Sequence, residues 1–241
     1  MRDILDVHCH TLASGHAYNT VWEMARAARE KGLEILGLTD HAPQMPGSCG
    51  EFHFLNLKVV PRQIEGICVL HGSEVNIMDY EGSVDLPERI LKQMDLVIAS
   101  LHTPCIKPGT VKENTNACIK AMENPYINII GHPDDGRFPL DYKELVAAAR
   151  ENHVLLEINN NSLNPQCFRQ NAGENDRTIL KLCMEYGVPV IMGSDAHVVT
   201  DVGNHVRAFA LIEEIGFPEE LVVNRDAGEL MKYINYGKQE R

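Results

Sequence analysis

The stretch DVHCHTLASGH, residues 6–16, contains three histidines close together near the start of the chain. Apolar residues precede it, so residues 4–10 are predicted to form a strand. Side chains two residues apart on a strand point to the same face. His8 and His10 are therefore expected to lie side by side, with His16 in the loop that follows. Other predicted strands of the chain end in the same kind of residue.

Seven apolar segments rich in Val, Ile and Leu alternate with segments of helical periodicity. The predicted strands lie at 4–10, 34–41, 68–77, 95–103, 127–135, 154–162 and 188–197. The predicted helices lie at 21–32, 86–94, 111–124, 141–153, 175–187, 204–216 and 226–236. Continuous apolar strands that alternate with amphipathic helices indicate a parallel sheet covered by helices. Seven such units without a Pro-, Gly- or Ser-rich linker predict an α/β fold, a single closed or nearly closed TIM-like barrel over residues 1–241.

Local signals mark the ends of several of these helices. Gly32 and Gly187 stand where helices should stop, and Asp141 and Asp176 stand where helices could be capped. Only the second strand is followed by a long irregular loop, predicted at about residues 42–66.

The composition is that of an ordinary globular protein, with 44% hydrophobic and 23% charged residues. A formal net charge of -12 predicts a surface that repels long nucleic acid and anionic membranes. Seven scattered cysteines without a CxxC pair indicate free thiols in a reducing compartment. The sequence shows no basic-then-apolar leader and no apolar run of about 18 residues. We therefore expect a cytoplasmic protein without a membrane partner.

Side chains of metal-binding type stand at the carboxyl ends of six predicted strands or in the loop after the first. In a parallel barrel all these strand ends share one face, where active sites are built. Imidazole and carboxylate groups suit Zn, Mn and Fe, and nine of them suit three ions better than one. The candidate ligands are His8, His10, His16, His41, Glu74, His102, His132, Asp195 and His197.

A more ordinary interpretation exists for each of these histidines taken singly, as a hydrogen-bonded residue at a strand end. The ordered set makes coincidence a poor explanation for all of them together. The four remaining histidines, in contrast, are expected to be structural. They are His53, in the loop that should overhang the barrel mouth, and His71, His153 and His205.

The motifs DVHCHT, LTDH, GSEVN, SLHT, GHPD and GSDAH, in this order, resemble the PHP (polymerase and histidinol phosphatase) superfamily, most closely its stand-alone YcdX-like phosphatase branch. The resemblance runs from about residue 4 to about residue 236. It implies a distorted seven-stranded (β/α)7 barrel with a trinuclear metal site, and a homotrimer. It also implies how the ligands are divided: His8, His10, Glu74 and Asp195 on one ion; Glu74, His102 and His132 on a second; His16, His41 and His197 on the third.

Two arginines and two asparagines are candidates for substrate contact. Arg169 could grip a phosphate with parallel hydrogen bonds, although an ordinary surface arginine is an equal alternative. Arg137 could offset the acidic loop PDDGRFPLDY that follows His132. Asn159 and Asn160 follow the one strand that carries no ligand.

The resemblance and the ligand set predict a metal-dependent phosphatase that hydrolyses small organic phosphate monoesters through a metal-activated hydroxide, with Zn2+, Mn2+ or Fe2+ as cofactors. Asp40 is a candidate general acid. Three alternatives remain open: an amidohydrolase-type hydrolase, because those barrels also begin with HxH; a phosphodiesterase or nuclease acting on short oligonucleotides; and a protein that only sequesters metal.

Overall fold

Seven parallel strands form a nearly closed barrel in the computed structural model of the chain, which describes residues 2–237. Their order around the barrel is the order along the chain, and an eighth, two-residue strand pairs antiparallel at one side. The strands are β1 (Leu5–Cys9), β2 (Ile35–Leu38), β3 (Gln63–Ile64, antiparallel to β4), β4 (Ile67–Asn76), β5 (Leu96–Ser100), β6 (Ile129–Ile130), β7 (Leu155–Asn159) and β8 (Val190–Gly193).

The first and last parallel strands, β1 and β8, are joined by backbone hydrogen bonds at and just beyond their carboxyl ends. The backbone N–H of His10 donates to the carbonyl of Ala196 at 2.8 Å, and the N–H of Ala196 donates to the carbonyl of His8 at 3.3 Å. These bonds close the ring of strands at its carboxyl end, on the side where the predicted ligands lie.

Eight α-helices surround the barrel within residues 2–237, and local sequence accounts for several of their ends. Thr20 and Thr110 each form a capping box with the glutamate three residues later. Asp141 caps its helix as predicted, because its side chain accepts from the backbone of Lys143 and Glu144. The helices are α1 (Val21–Glu30), α2 (Glu51–Asn56), α3 (Glu88–Leu91), α4 (Val111–Met122), α5 (Tyr142–Asn152), α6 (Ala172–Tyr186), α7 (Val206–Ile215) and α8 (Ala227–Tyr233).

The structure differs from the sequence prediction in two places. Asp176 was expected to cap a helix, but α6 begins four residues before it, after Asn171, and Asp176 is buried inside the helix. The segment 42–66, expected to be irregular, contains α2 and β3. Both differences arise because contacts with the rest of the barrel extend regular structure beyond the local signal. Gly187 ends α6 in a left-handed conformation, as expected.

The barrel is filled with apolar side chains below the ligand-bearing strand ends. This interior cluster includes Leu5, Leu70 and Leu96. Each of them is followed by a polar residue further along its strand. A second, larger apolar cluster packs between the strands and the helices. The seven cysteines are free, as expected. Within residues 2–237 no helix has both the length and the apolar character that a membrane crossing requires.

Candidate metal centre

Glu74, near the end of β4, lies at the centre of the candidate site. Its Oε2 atom is 2.8 Å from His41 Nδ1, 3.4 Å from His8 Nε2 and 3.6 Å from His10 Nε2. Its Oε1 atom faces the other side of the mouth. The atoms nearest to Oε1 are His132 Nε2 at 2.9 Å and His102 Nε2 at 3.2 Å. One carboxylate therefore contacts side chains from four other strand ends.

Asp195, just after β8, extends the cluster on its other side. Its Oδ1 atom is 3.3 Å from His10 Nε2 and 3.5 Å from His197 Nδ1. The ring of His16 reaches back from the first loop, with its centroid 4.8 Å from that of His197 and 5.0 Å from that of His41. The barrel thus brings all nine predicted side chains to one mouth.

Several buried ligand-type atoms in this cluster have no hydrogen-bond partner among residues 2–237. They are His8 Nε2, His10 Nε2, His41 Nδ1 and Glu74 Oε2. Buried lone pairs without a partner are costly. Two atoms bound to one tetrahedral zinc ion at about 2.1 Å lie roughly 3.4 Å apart, which is the spacing seen around Glu74 and Asp195. The cluster therefore fits divalent metal ions in its chemistry and its spacing.

Three groups of ligand atoms are each compact enough to hold an ion, with every atom within 4.8 Å of the others. One group is His8, His10 and Glu74, and another is His41, Glu74 and His102. The third joins His10 to His41 and His197. Because the groups share members, the geometry fits a metal site without fixing the number of ions.

Hydrogen bonds fix the orientation of three of the ligating imidazoles. His8 Nδ1 lies 2.6 Å from Oε1 of Glu157, a buried carboxylate on β7. A carboxylate only accepts, so Nδ1 carries the proton and Nε2 keeps its lone pair for metal. Glu157 was not among the site residues predicted from the sequence, although a single acidic residue within the apolar run VLLEIN was a signal for it.

His10 is oriented through a hydroxyl group. Ser14 Oγ donates to Asp40 Oδ1 at 2.7 Å and lies 3.1 Å from His10 Nδ1. Since the Ser14 proton is used by Asp40, its oxygen accepts the proton on Nδ1. Asp40 also accepts from the backbone and hydroxyl of Thr11. These bonds place Asp40 behind His10, as a group that orients a ligand.

His102 is oriented by an amide. Its Nδ1 atom lies 2.7 Å from Asn76 Oδ1, and Asn76 Nδ2 donates to Asp85 Oδ2 at 2.7 Å. Asp85 thereby fixes which way the amide points. The Oδ1 atom of Asn76 accepts from His102, which leaves His102 Nε2 facing Glu74.

Two ligands have unusual backbone conformations. Asp195 has φ 55° and His132 has φ 31°, in the left-handed region that residues other than glycine rarely adopt. The N–H of His132 donates to Glu157 Oε2 at 2.8 Å. The surrounding hydrogen bonds therefore hold strained ligands in place.

The electrostatics of the site favour the metal-binding forms of Glu74 and His102. Burial alone would raise the pKa of Glu74, but His102, His41 and His8 outweigh it and hold that pKa well below its usual value. Burial lowers the pKa of His102 to about 4, although Glu74 acts in the opposite direction. Anionic Glu74 and neutral His102 are the forms that bind metal.

A cavity of about 470 Å3 opens from the metal-ligand cluster to the solvent. Arg169 lines it, and its guanidinium donates to Asp195 at 2.9 Å and to Asn159 and Ser162 at 3.0 Å. The Nε atom of Arg169 is buried and has no partner among residues 2–237. Arg169 is therefore held against the ligand cluster by hydrogen bonds from both of its Nη atoms.

The other two predicted substrate contacts are engaged by the protein. Arg137 also lines the cavity, but its guanidinium pairs with Asp135 at 2.6 Å. Asn160 Oδ1 accepts from the backbone N–H groups of Arg207 and Ala208, at the start of α7. A direct role in substrate binding stays a prediction for both.

The four histidines expected to be structural lie outside the ligand groups given above. His205 forms a buried ion pair with Asp3, and His153 ends α5. His71 is buried in β4, on the barrel wall. His53 Nε2 lies 3.9 Å from Asp40 Oδ2, near the mouth.

Two family models match the chain. The PHP domain model matches residues 6–162, and the PHP-associated model matches residues 173–234. These ranges include all nine ligand-type side chains.

Curated relatives match nearly the whole chain. A protein of Clostridium novyi named "probable phosphatase" is 47% identical over 234 residues, which cover 97% of this chain and 95% of the relative. A protein of the same name from Caldicellulosiruptor saccharolyticus is 49% identical over 235 residues, 97% of each chain. The crystal structure of histidinol phosphate phosphatase from Lactococcus lactis, complexed with zinc, L-histidinol and phosphate, aligns with a TM-score of 0.60 at 18% identity, covering 90% of this chain and 95% of that one. That likeness concerns the fold. On the sequence matches, the chain belongs to the PHP domain family.

Proposed function

We propose that the chain is a metal-dependent phosphatase that hydrolyses small organic phosphate monoesters with three divalent ions. The observation that carries the proposal is the convergence of nine imidazole and carboxylate groups on one cavity, with unpartnered lone pairs among them. The names of the curated relatives support the reaction class, and the zinc and phosphate in the Lactococcus lactis structure support the cofactor and the reacting group.

The ligands would be divided among the ions as the family resemblance implies. One ion takes His8, His10, Glu74 and Asp195; a second takes Glu74, His102 and His132; the third takes His16, His41 and His197. When bound, such ions supply concentrated positive charge for the phosphate oxygens and activate water near neutral pH.

The chain's own residues would bind and orient the phosphate. Arg169 lines the cavity, where its guanidinium could donate hydrogen bonds to phosphate oxygens. The same guanidinium donates to Asp195, so binding of the phosphate is coupled to the position of a metal ligand. Asp40 lies behind His10, and its hydrogen bonds with Thr11 and Ser14 favour an orienting role over proton donation.

The cavity supports a small substrate. Its volume of about 470 Å3 lies within the range of small-molecule sites, roughly 300–1,000 Å3. A net charge of -12 disfavours long nucleic acid but leaves short oligonucleotides as an alternative. An amidohydrolase-type site would bridge two ions with a modified lysine, and within the described chain no lysine lines this cavity.

The proposal is tested by metal content and turnover measured together. Protein purified without chelator should contain about three divalent ions per chain and should hydrolyse a panel of phosphate monoesters. His41→Ala should lose metal and turnover. His153→Ala, at the exposed end of α5, is the matched control and should keep both.

Other outcomes have defined meanings. Two ions per chain with hydrolysis of an amide or lactone, and none of phosphate esters, would overturn the proposal. Faster cleavage of short oligonucleotides than of phosphate monoesters would show that the protein is a phosphodiesterase instead. The homotrimer implied by the resemblance remains a prediction, and analytical ultracentrifugation checks it.

A further inference from the structure

Phe168 is an exposed aromatic side chain at the rim of the metal-site cavity. It belongs to the loop between β7 and α6, and 68% of its surface is accessible. The same cavity is lined on its inner side by ligands such as His41 and Asp195. Exposed rings are ordinary when isolated, but this ring shares a cavity with a candidate catalytic centre.

The position of the Phe168 ring is set by Arg137. The guanidinium carbon of Arg137 lies 4.5 Å from the ring centroid, within cation–π distance. Arg169 approaches the same ring, with its guanidinium carbon 5.8 Å from the centroid. Two cationic groups therefore orient the ring electrostatically, although most of its surface stays open to solvent.

Arg137 is itself held rigidly. Its Nε atom is 3.0 Å from both carboxylate oxygens of Asp135, and its Nη2 atom is 2.6 Å from Oδ2. Asp135 is only 3% exposed. The charge of Arg137 is therefore neutralised by Asp135. Arg137 is then a poor receptor for an anion and a good support for an aromatic ring. In the acidic loop after His132, Arg137 thus neutralises one of the carboxylates.

We propose that Phe168 is a stacking platform for the alcohol part of the substrate, and that the substrates are phosphate monoesters of alcohols with a flat aromatic ring. The proposal rests on the phosphatase function proposed above. A phosphate held at the metal ligands leaves the remainder of the ester in the cavity, toward the rim. There Met45, Pro104 and Phe168 offer apolar surface. A flat ring gains offset or edge contacts on Phe168 that a saturated or hydroxylated group does not.

The test compares two esters that differ in aromaticity and little in leaving-group acidity: benzyl phosphate and cyclohexylmethyl phosphate. The wild-type protein should prefer the benzyl ester in kcat/KM by about tenfold, the scale of one aromatic contact. Phe168→Ala and Phe168→Leu should abolish this preference, because leucine restores apolar surface without a ring. Phe168→Tyr should keep it. Ethyl phosphate, which has no ring, should be hydrolysed equally by all four proteins.

Binding gives a readout independent of turnover. Calorimetric titration with benzylphosphonate and cyclohexylmethylphosphonate should show the same preference in Kd, again lost in Phe168→Ala. Phe52→Ala removes an equally exposed ring, 79% accessible, that does not line the cavity, and it should change nothing. Arg137→Gln should weaken the preference for the benzyl ester through KM, because the ring of Phe168 loses its cationic support.

Two results would overturn the platform while leaving the phosphatase intact: equal kcat/KM for the two esters in the wild-type protein, or a preference that survives in Phe168→Ala. The failure of the underlying function looks different. A metal-loaded wild-type protein that hydrolyses none of the esters, ethyl phosphate included, would remove both proposals together.

Discussion

The Nδ1 atom of His8 lies 2.6 Å from Oε1 of Glu157, and the two residues are 149 positions apart in the sequence. Oε2 of the same carboxylate accepts from the backbone N–H of His132 at 2.8 Å. Glu157 lies on β7, the one parallel strand whose end carries no candidate ligand. Its carboxylate thus connects the ligand positions His8 and His132.

Replacing Glu157 with glutamine should weaken metal binding. Both carboxylate oxygens face donors, so the glutamine NH2 group must meet either His8 Nδ1–H or the His132 N–H. Loss of such an orienting partner commonly costs about 10–100-fold in metal affinity. Metal retained per chain after dialysis against graded chelator measures the effect. Glu174→Gln, whose side chain is 81% exposed on α6, is the control. Wild-type retention in Glu157→Gln would contradict the assigned role.

Gly193→Ala should destabilise the fold, because the added methyl group would collide with the Glu157 carboxylate. A Cβ atom at this position would lie 1.9 Å from Glu157 Oε1 and 3.0 Å from the Cβ atom of His8. We expect Gly193→Ala to lower the free energy of unfolding by about 1–3 kcal/mol and to reduce metal retention. Gly50→Ala, which meets nothing within 4 Å, is the matched control in a urea titration. Equal stability of the two variants would show that Glu157 can move freely.

His205 should stabilise the fold in a pH-dependent manner. Its Nδ1 atom is 2.6 Å from Asp3 Oδ2 and its Nε2 atom is 3.5 Å from Oδ1 of the fully buried Asp6. Burial opposes the imidazolium charge, but these carboxylates outweigh it and raise the pKa of His205 to about 10. Because the folded pKa is raised above the ordinary 6.5, the stabilisation is complete below pH 6.5 and is lost as the pH rises toward 10.

The variant His205→Gln should therefore lower the free energy of unfolding by about 3–5 kcal/mol at pH 6 and by much less near pH 10. Urea unfolding at the two pH values measures the difference. His153→Gln, at the exposed end of α5, should have little effect at either pH. An effect of His205→Gln that does not change between these pH values would exclude the ion pair as its cause.

Asp176 should destabilise the fold at neutral pH. It is fully buried, and neither of its carboxylate oxygens has a hydrogen-bond partner among residues 2–237. Burial and the neighbouring Asp134 carboxylate raise the pKa of Asp176 well above its usual value. A carboxyl group with a raised folded pKa reduces stability as the pH rises above its unfolded pKa of about 3.9.

Asp176→Asn is accordingly expected to raise the free energy of unfolding by about 1–3 kcal/mol at pH 8, with a gain that shrinks toward pH 4. Asp201→Asn, at an exposed position, is the control for the loss of one negative charge. Destabilisation by Asp176→Asn at pH 8 would mean that an ionised carboxylate is needed at this position.

The sequence alone determined the parallel barrel and the nine ligand-type side chains at its carboxyl face. Both depend on local patterns. The periodicity of apolar residues predicts where strands and helices alternate, and the polar residues at the ends of the apolar runs are the candidate ligands. The wrong cap at Asp176 shows the limit of such patterns, because α6 starts at Ala172 without a strong local signal.

The tertiary structure decided which groups orient those candidate ligands and which groups line the cavity above them. Glu157 and His8 are 149 positions apart in the sequence, and Asp40 acts on His10 through Ser14. No short window of sequence displays either relationship. The pairing of Arg137 with Asp135 and its contact with Phe168 likewise appear only in the folded chain, and its predicted role in substrate binding stays a prediction. Local propensity sets the order of elements along the chain, whereas hydrogen bonds between side chains far apart in sequence exist only once the barrel has closed.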